Sequence, residues 1–118
     1  MTRQLNRVSE NFLRAAHHYE KGRTALGRHH FDKAIAEFTK AIRLDPQFAD
    51  AFTDRGVAYR ETGDHDKAIA DFAAVIRLKP HDPTIYACRG SEYAKKGEHD
   101  KAIADFDQAI KLDLEASP

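Results

Sequence analysis

Along residues 49–82 apolar and small side chains recur at three-and-four spacing in two separate stripes. Phe52, Gly56 and Tyr59 form the first, and Ala68, Phe72, Val75 and Ile76 form the second. Such spacing puts side chains on one face of an α-helix, so the stretch predicts two amphipathic helices. Gly63 lies between the stripes, with Asp66 three residues after it. That pattern suits a glycine helix stop followed by an Asp N-cap in a tight turn. Pro80 closes the second helix, because a proline disfavours helical geometry in the residue before it.

The pattern returns every 34 residues. The heptapeptide Asp66 to Phe72 recurs unchanged as Asp100 to Phe106, and with one Asp-to-Glu change as Asp32 to Phe38. At that period Gly22, Gly56 and Gly90 fall in one register, as do Ala34, Ala68 and Ala102, Phe38, Phe72 and Phe106, Ile42, Ile76 and Ile110, and Leu44, Leu78 and Leu112. Gly97 and Asp100 repeat the turn of Gly63 and Asp66, and Pro46 repeats the stop at Pro80. One such helix pair is too small to bury its own apolar face, so the copies share a continuous core. The expected fold class is all-α, a solenoid of three antiparallel helix pairs over 15–48, 49–82 and 83–116, within a repeat domain spanning 15–118. Glycine inside a helix costs about 1 kcal/mol relative to alanine, so three mid-helix glycines imply a gain from close helix approach. Gly56 is expected to face Ala68 and to leave a gap for Phe72. Residues 1–14 carry Leu5, Val8 and Phe12 at helical spacing and form an N-terminal extension, either an early helix start or a short capping helix.

A 34-residue helix pair with this order of Gly, Tyr, Gly, Ala, Phe, Ala and Pro, including Ala58-Tyr59 and Leu78-Lys79-Pro80, resembles the tetratricopeptide repeat. The resemblance covers residues 15–117 in three units. The first unit departs from it with Ala25 where Tyr59 and Tyr93 stand, and with His29 where Gly63 and Gly97 stand; Leu114 replaces the proline that would close the third. It implies a right-handed α-solenoid whose first helices line a concave side, and a role in binding rather than catalysis. Candidate contacts to a peptide or protein partner are then Tyr19, Glu20, Arg23 and Leu26 in the first unit. The second contributes Asp50, Thr53, Asp54, Val57, Arg60 and Glu61, and the third Thr84, Ala87, Cys88, Ser91 and Lys95. Charge there is mixed, and Tyr19 is the one aromatic anchor. Family members that capture the C-terminal carboxylate of heat-shock chaperones clamp it with Lys and Asn in the first two units and Lys and Arg in the third. Here Tyr19 and Arg23 replace the first Lys and Asn, Asp54 the second Asn, and Thr84 and Cys88 the last basic pair. Asp54 repels a carboxylate and no bidentate Arg fork remains, so that clamp is not expected.

Composition narrows the function classes. A chain of 118 residues fits one domain that folds without metal or disulfide. Lys plus Arg and Asp plus Glu are equal at 19 each, which argues against nucleic-acid and membrane-surface binding. The balance hides a polarity: residues 1–31 hold six basic side chains against two acidic ones, and the remainder 13 against 17. No signal segment opens the chain and no run of 18 apolar residues occurs, so a soluble, cytoplasmic protein is expected. The lone Cys88 fits a reducing compartment.

Chemistry is sparse. Adjacent residues on a helix point about 100° apart, so His17 and His18 do not share an ion, and neither a carboxylate nor a cysteine accompanies them at ligand spacing. His29 and His30 offer at most an adventitious metal contact from a turn, and packing or solvation is the expected role. His65 and His99 share the register of Phe31 and read as half-buried packing residues. Cys88 has no histidine on its own helix, and phosphate loops and paired catalytic carboxylates are absent. No enzyme activity, metal or cofactor is expected. The chain stops soon after the third unit with no capping helix, so Ile103, Ala109, Ile110, Leu112 and Leu114 are expected to lie partly open. This makes a self-association module, as a closed homodimer, the alternative function; a cut from a longer repeat array would leave the same edge.

Overall fold

The computed structural model describes residues 2–116, with side chains from Asn6 onward. Leu5 of the expected N-terminal stripe lies outside the described side chains. The described residues form six α-helices and no strand: α1 Thr2–Gly27, α2 Phe31–Leu44, α3 Ala49–Glu61, α4 His65–Leu78, α5 Pro83–Lys95 and α6 His99–Ala116. Helices pack in order as α1 on α2, α3 on α4 and α5 on α6, while α2 meets α3 and α4 meets α5. The smallest extent is 21 Å, which accommodates two helix layers of about 10 Å each. The N-terminal extension is the early helix start: α1 runs unbroken for 26 residues.

The turns within pairs are built on left-handed residues. Gly63 and Gly97 have φ of 80° and 79°, a region glycine enters without a Cβ clash. The Asp64 N–H then reaches back to the Tyr59 carbonyl at 2.9 Å, and Glu98 to Tyr93 at 2.9 Å, closing the helix ends. His29 performs the same turn at φ 61°. The N-cap falls two residues earlier than the sequence pattern suggests. Asp64 is the cap of α4, accepting from the Lys67 N–H at 3.3 Å, because the chain re-enters a helix at His65, two residues after the glycine. Asp66 and Asp100 are already inside α4 and α6, where a carboxylate in the first turn favours the helix dipole. The first unit has His30 at the cap position and no side-chain cap bond.

The mid-helix glycines face phenylalanine rather than alanine. A Cβ on Gly56 would stand 2.8 Å from Phe72 Cε1, one on Gly22 2.5 Å from Phe38 Cε1, and one on Gly90 3.0 Å from Phe106 Cε1. Ala68 is one turn from Phe72 on the same face, and the larger ring is what reaches the glycine. Phe38 and Phe72 are fully buried, one in a cluster with Ala25, Ala34 and Ala58, the other with Ala68, Val75 and Ile85. The close approach therefore lets the first two pairs swallow a whole ring, while Phe106 of the third stays half-buried.

Candidate partner-binding face

The candidate contacts lie on α1, α3 and α5, which the glycine-and-phenylalanine packing holds in place. Tyr19 is half-buried, its ring 5.8 Å from that of Phe38 and 4.8 Å from that of Phe48. Its hydroxyl donates to Asp54 Oδ2 at 2.7 Å, joining α1 to α3 directly. Tyr19 is thus committed to the structure, not the free aromatic anchor expected from sequence, since an apolar ring with a polar tip settles where both ends are satisfied. Arg23 is exposed, with Cζ 5.9 Å from the Tyr19 centroid. Burial, reinforced by the hydrogen bond to Asp54, pushes the Tyr19 phenol above its ordinary value. Burial also raises the Asp54 carboxyl, against the pull of Tyr19 and Arg23.

The stripe continues toward α5. Val57, one turn beyond Asp54, packs on the second core cluster together with Cys88, and Arg60 acts electrostatically on the Cys88 thiol. Burial raises that thiol above its usual value, so it stays protonated at neutral pH and is a weak nucleophile. Arg60 lies 3.6 Å from Glu61, and Lys95 lies 3.2 Å from Glu92. Glu20, Asp50, Thr84, Ser91 and Lys95 are exposed, whereas Leu26, Thr53 and Ala87 are half-buried, Leu26 against the first core cluster.

Sequence reasoning passed over the polar fasteners between helices. Arg55 grips Asp71 with two bonds, Nε to Oδ2 at 2.8 Å and Nη2 to Oδ1 at 2.7 Å. Arg89 grips Asp105 with two of 2.8 Å. Each pair is 16 residues apart, and the same register holds Lys21 and Glu37 in the first unit. There Glu37 is instead held by His18 Nδ1 at 2.7 Å, and that bond draws its carboxyl below the usual range. The signal was an opposite-charge pair recurring at one offset in all three copies. His65 and His99, alike in register, part company: His65 is half-buried with Nδ1 2.5 Å from Oε2 of the fully buried Glu92, while His99 is exposed. α5 covers the first, and no described element covers the second. Among the described residues no group of three His, Cys, Asp or Glu side chains is placed to hold a metal ion.

At the C-terminal edge Ile103, Ile110 and Leu114 are 56%, 58% and 70% exposed, but Leu112 is only 8% exposed. Leu112 is therefore core and not part of an open edge. α6 continues to Ala116 where α2 and α4 end at Leu44 and Leu78, so the register leucine stays within a helical turn and faces inward.

Comparison with known proteins agrees with this construction. The tetratricopeptide repeat family matches residues 19–83 and again residues 83–114. The uncharacterized protein MJ0572 of Methanocaldococcus jannaschii is 34% identical over 56 residues, covering 48% of this chain and 65% of its own. The crystal structure of MamA is similar with a TM-score of 0.84 at 31% identity, covering 86% of this chain and 59% of MamA. The first tetratricopeptide-repeat domain of Spaghetti (RPAP3), solved bound to the HSP90 peptide SRMEEVD, is alike in fold, with a TM-score of 0.81 at 24% identity over 86% of this chain and 80% of that one. The chain thus spans less than two-thirds of both MamA and the Methanocaldococcus relative. With the repeat matched along most of its length and its six helices paired as the repeat requires, the chain belongs to the tetratricopeptide repeat family.

Proposed function

We propose that this protein–protein interaction module is a non-enzymatic adaptor that holds a peptide or protein segment against the face lined by α1, α3 and α5. The observation that carries the reading is the continuity of that face. Tyr19 and Asp54 bridge α1 and α3, and Val57 and Cys88 share one cluster across α3 and α5. Arg23, Asp50, Arg60 and Lys95 stand along it and suit a segment of mixed charge. The Spaghetti (RPAP3) domain of the same fold holds a peptide, but Asp54 disfavours a terminal carboxylate here. The balanced charge supplies no basic field for nucleic acid, and no helix among the described residues is long and apolar enough to cross a membrane.

The test is cross-linking in extracts of the native host from a cysteine placed at the exposed Ser91 (Ser91→Cys with Cys88→Ala), alone and as a variant with Asp50→Lys and Arg60→Glu added. Asp50 is chosen over Asp54 because it is exposed and carries no bond to Tyr19. The adaptor reading expects a discrete cross-linked partner that the variant loses; equal capture by both would overturn it. The second reading, self-association, is favoured by the exposed Ile103, Ile110 and Leu114. Sedimentation that finds only monomer at high concentration would remove it, and a dimer abolished by Ile110→Asp would support it.

A further inference from the structure

In the second and third units a tyrosine ring has two cations close to its centroid. Arg55 Cζ and Lys67 Nζ lie 5.8 and 5.6 Å from the Tyr59 centroid. Arg89 Cζ and Lys101 Nζ lie 5.8 and 5.5 Å from the Tyr93 centroid. Cations at this range are attracted by the negative face of an aromatic ring. One period earlier the same three registers hold Lys21, Ala25 and Lys33. The first unit has kept both cations and lost the ring.

A hollow of about 320 Å³ opens at this place, between α1 and α2. Its lining includes Lys21, Ala25 and Lys33, with Glu20, Arg28 and His30 around them. The surroundings lack a carboxylate that both sister units have: His30 stands where Asp64 and Glu98 supply one, while Arg28 stands where the second unit has Thr62 and the third Lys96. Lys21 is drawn toward Glu37, but that carboxylate is already bonded to His18 and lies 3.6 Å from Lys40. Glu20 is the one acidic side chain lining the hollow.

We propose that this hollow is a binding site for an aromatic side chain flanked by carboxylates, delivered by an acidic segment of a partner polypeptide. The incoming ring takes the place that Tyr59 and Tyr93 fill in the other units, close to Lys21 and Lys33, and the flanking carboxylates face the cationic rim. The site lies apart from the α1, α3 and α5 face, and Glu20 is the one residue common to both.

The probe is a blocked pentapeptide of sequence DEYED, titrated into the whole chain by calorimetry, with DEAED as control. The parent is expected to bind DEYED at least tenfold more tightly than DEAED. Ala25→Tyr restores the ring from within: it is expected to weaken DEYED at least tenfold while raising the melting temperature. Should that variant misfold, Lys33→Glu, at an exposed side chain, is expected to weaken the peptide likewise. Equal affinity for the two peptides, undiminished binding by a folded Ala25→Tyr or by Lys33→Glu, or no binding of DEYED up to about 1 mM, would each overturn the proposal. Asp50→Lys with Arg60→Glu is expected to leave DEYED affinity unchanged, so failure here and failure of the adaptor reading are told apart.

Discussion

The first and second helix pairs share one backbone plan and differ in what fastens it. In the second, Arg55 clasps Asp71 and stacks on Phe52 and Tyr59, Gly63 makes the turn and Asp64 caps α4. In the first, the corresponding places hold Lys21, Glu37, Ala25, His29 and His30, and a single histidine bond to Glu37 does the holding. Both nevertheless close on a buried phenylalanine over a glycine. The lesson is that the small and apolar registers dictate the hairpin, while the polar fastening is interchangeable and leaves the first pair free to open a hollow.

The comparison is broken most forcefully at the clasp. Arg55→Ala strands Asp71, which is only 4% exposed, and is expected to cost about 3 kcal/mol. Lys21→Ala is expected to cost under about 1 kcal/mol, as exposed charges do. Urea denaturation of the two variants measures the gap, and equal losses would erase the distinction.

The glycines come next and are graded. Gly22→Ala drives a Cβ to 2.5 Å from the fully buried Phe38 ring. It is expected to lose about 1–3 kcal/mol from overpacking. Gly90→Ala meets Phe106 at 3.0 Å and is expected to fall near neutral, because helix propensity returns about 1 kcal/mol. An inverted order in thermal melts would contradict the packing described.

His29→Gly sharpens the contrast from the other side. A Cβ at φ 61° carries a penalty of about 1 kcal/mol that glycine removes, so this variant is expected to be the more stable by that amount in chemical denaturation.

The smallest effect is one of pH, and its sign differs between units. Glu37 is depressed by the His18 bond, so its stabilisation is present above the ordinary carboxylate range and is lost as pH falls through its folded value. Asp54 is raised by burial, so the folded state holds its proton longer and this residue favours folding as pH falls. Between about pH 6 and 3, Glu37→Gln is expected to lessen the acid loss of stability, and Asp54→Asn to deepen it.

The helices and their pairing follow from a fixed period, because a constraint repeated three times is readable even where one copy is weak; that the phenylalanine meets the glycine, and not the alanine one turn away, depends on side-chain reach. The N-cap came out two residues late since Asp64 and Asp66 both qualify by type, and only backbone geometry decides between them. The Arg55–Asp71 offset was present in the sequence but carries no helical spacing, so a search along single helices passes it by. Tyr19 and Asp54 are 35 residues apart, and their bond depends on how far α1 and α3 stand from each other. His65 and His99 head the same octapeptide, through Phe72 and Phe106, and the helix α5 that covers the first has no described counterpart over the second.

The identical heptads of α4 and α6 carry a hazard. Since Asp66 to Phe72 and Asp100 to Phe106 are the same, with the same arginine and glycine awaiting them on α3 and α5, nothing in those contacts tells the native mate from its twin in another copy. What enforces fidelity is the brevity of the link from α3 to α4, three residues from Thr62 to Asp64, which keeps the native mate at a local concentration no second molecule can match. A longer, looser link there would let neighbouring molecules trade helices and yield entangled dimers with every native contact intact.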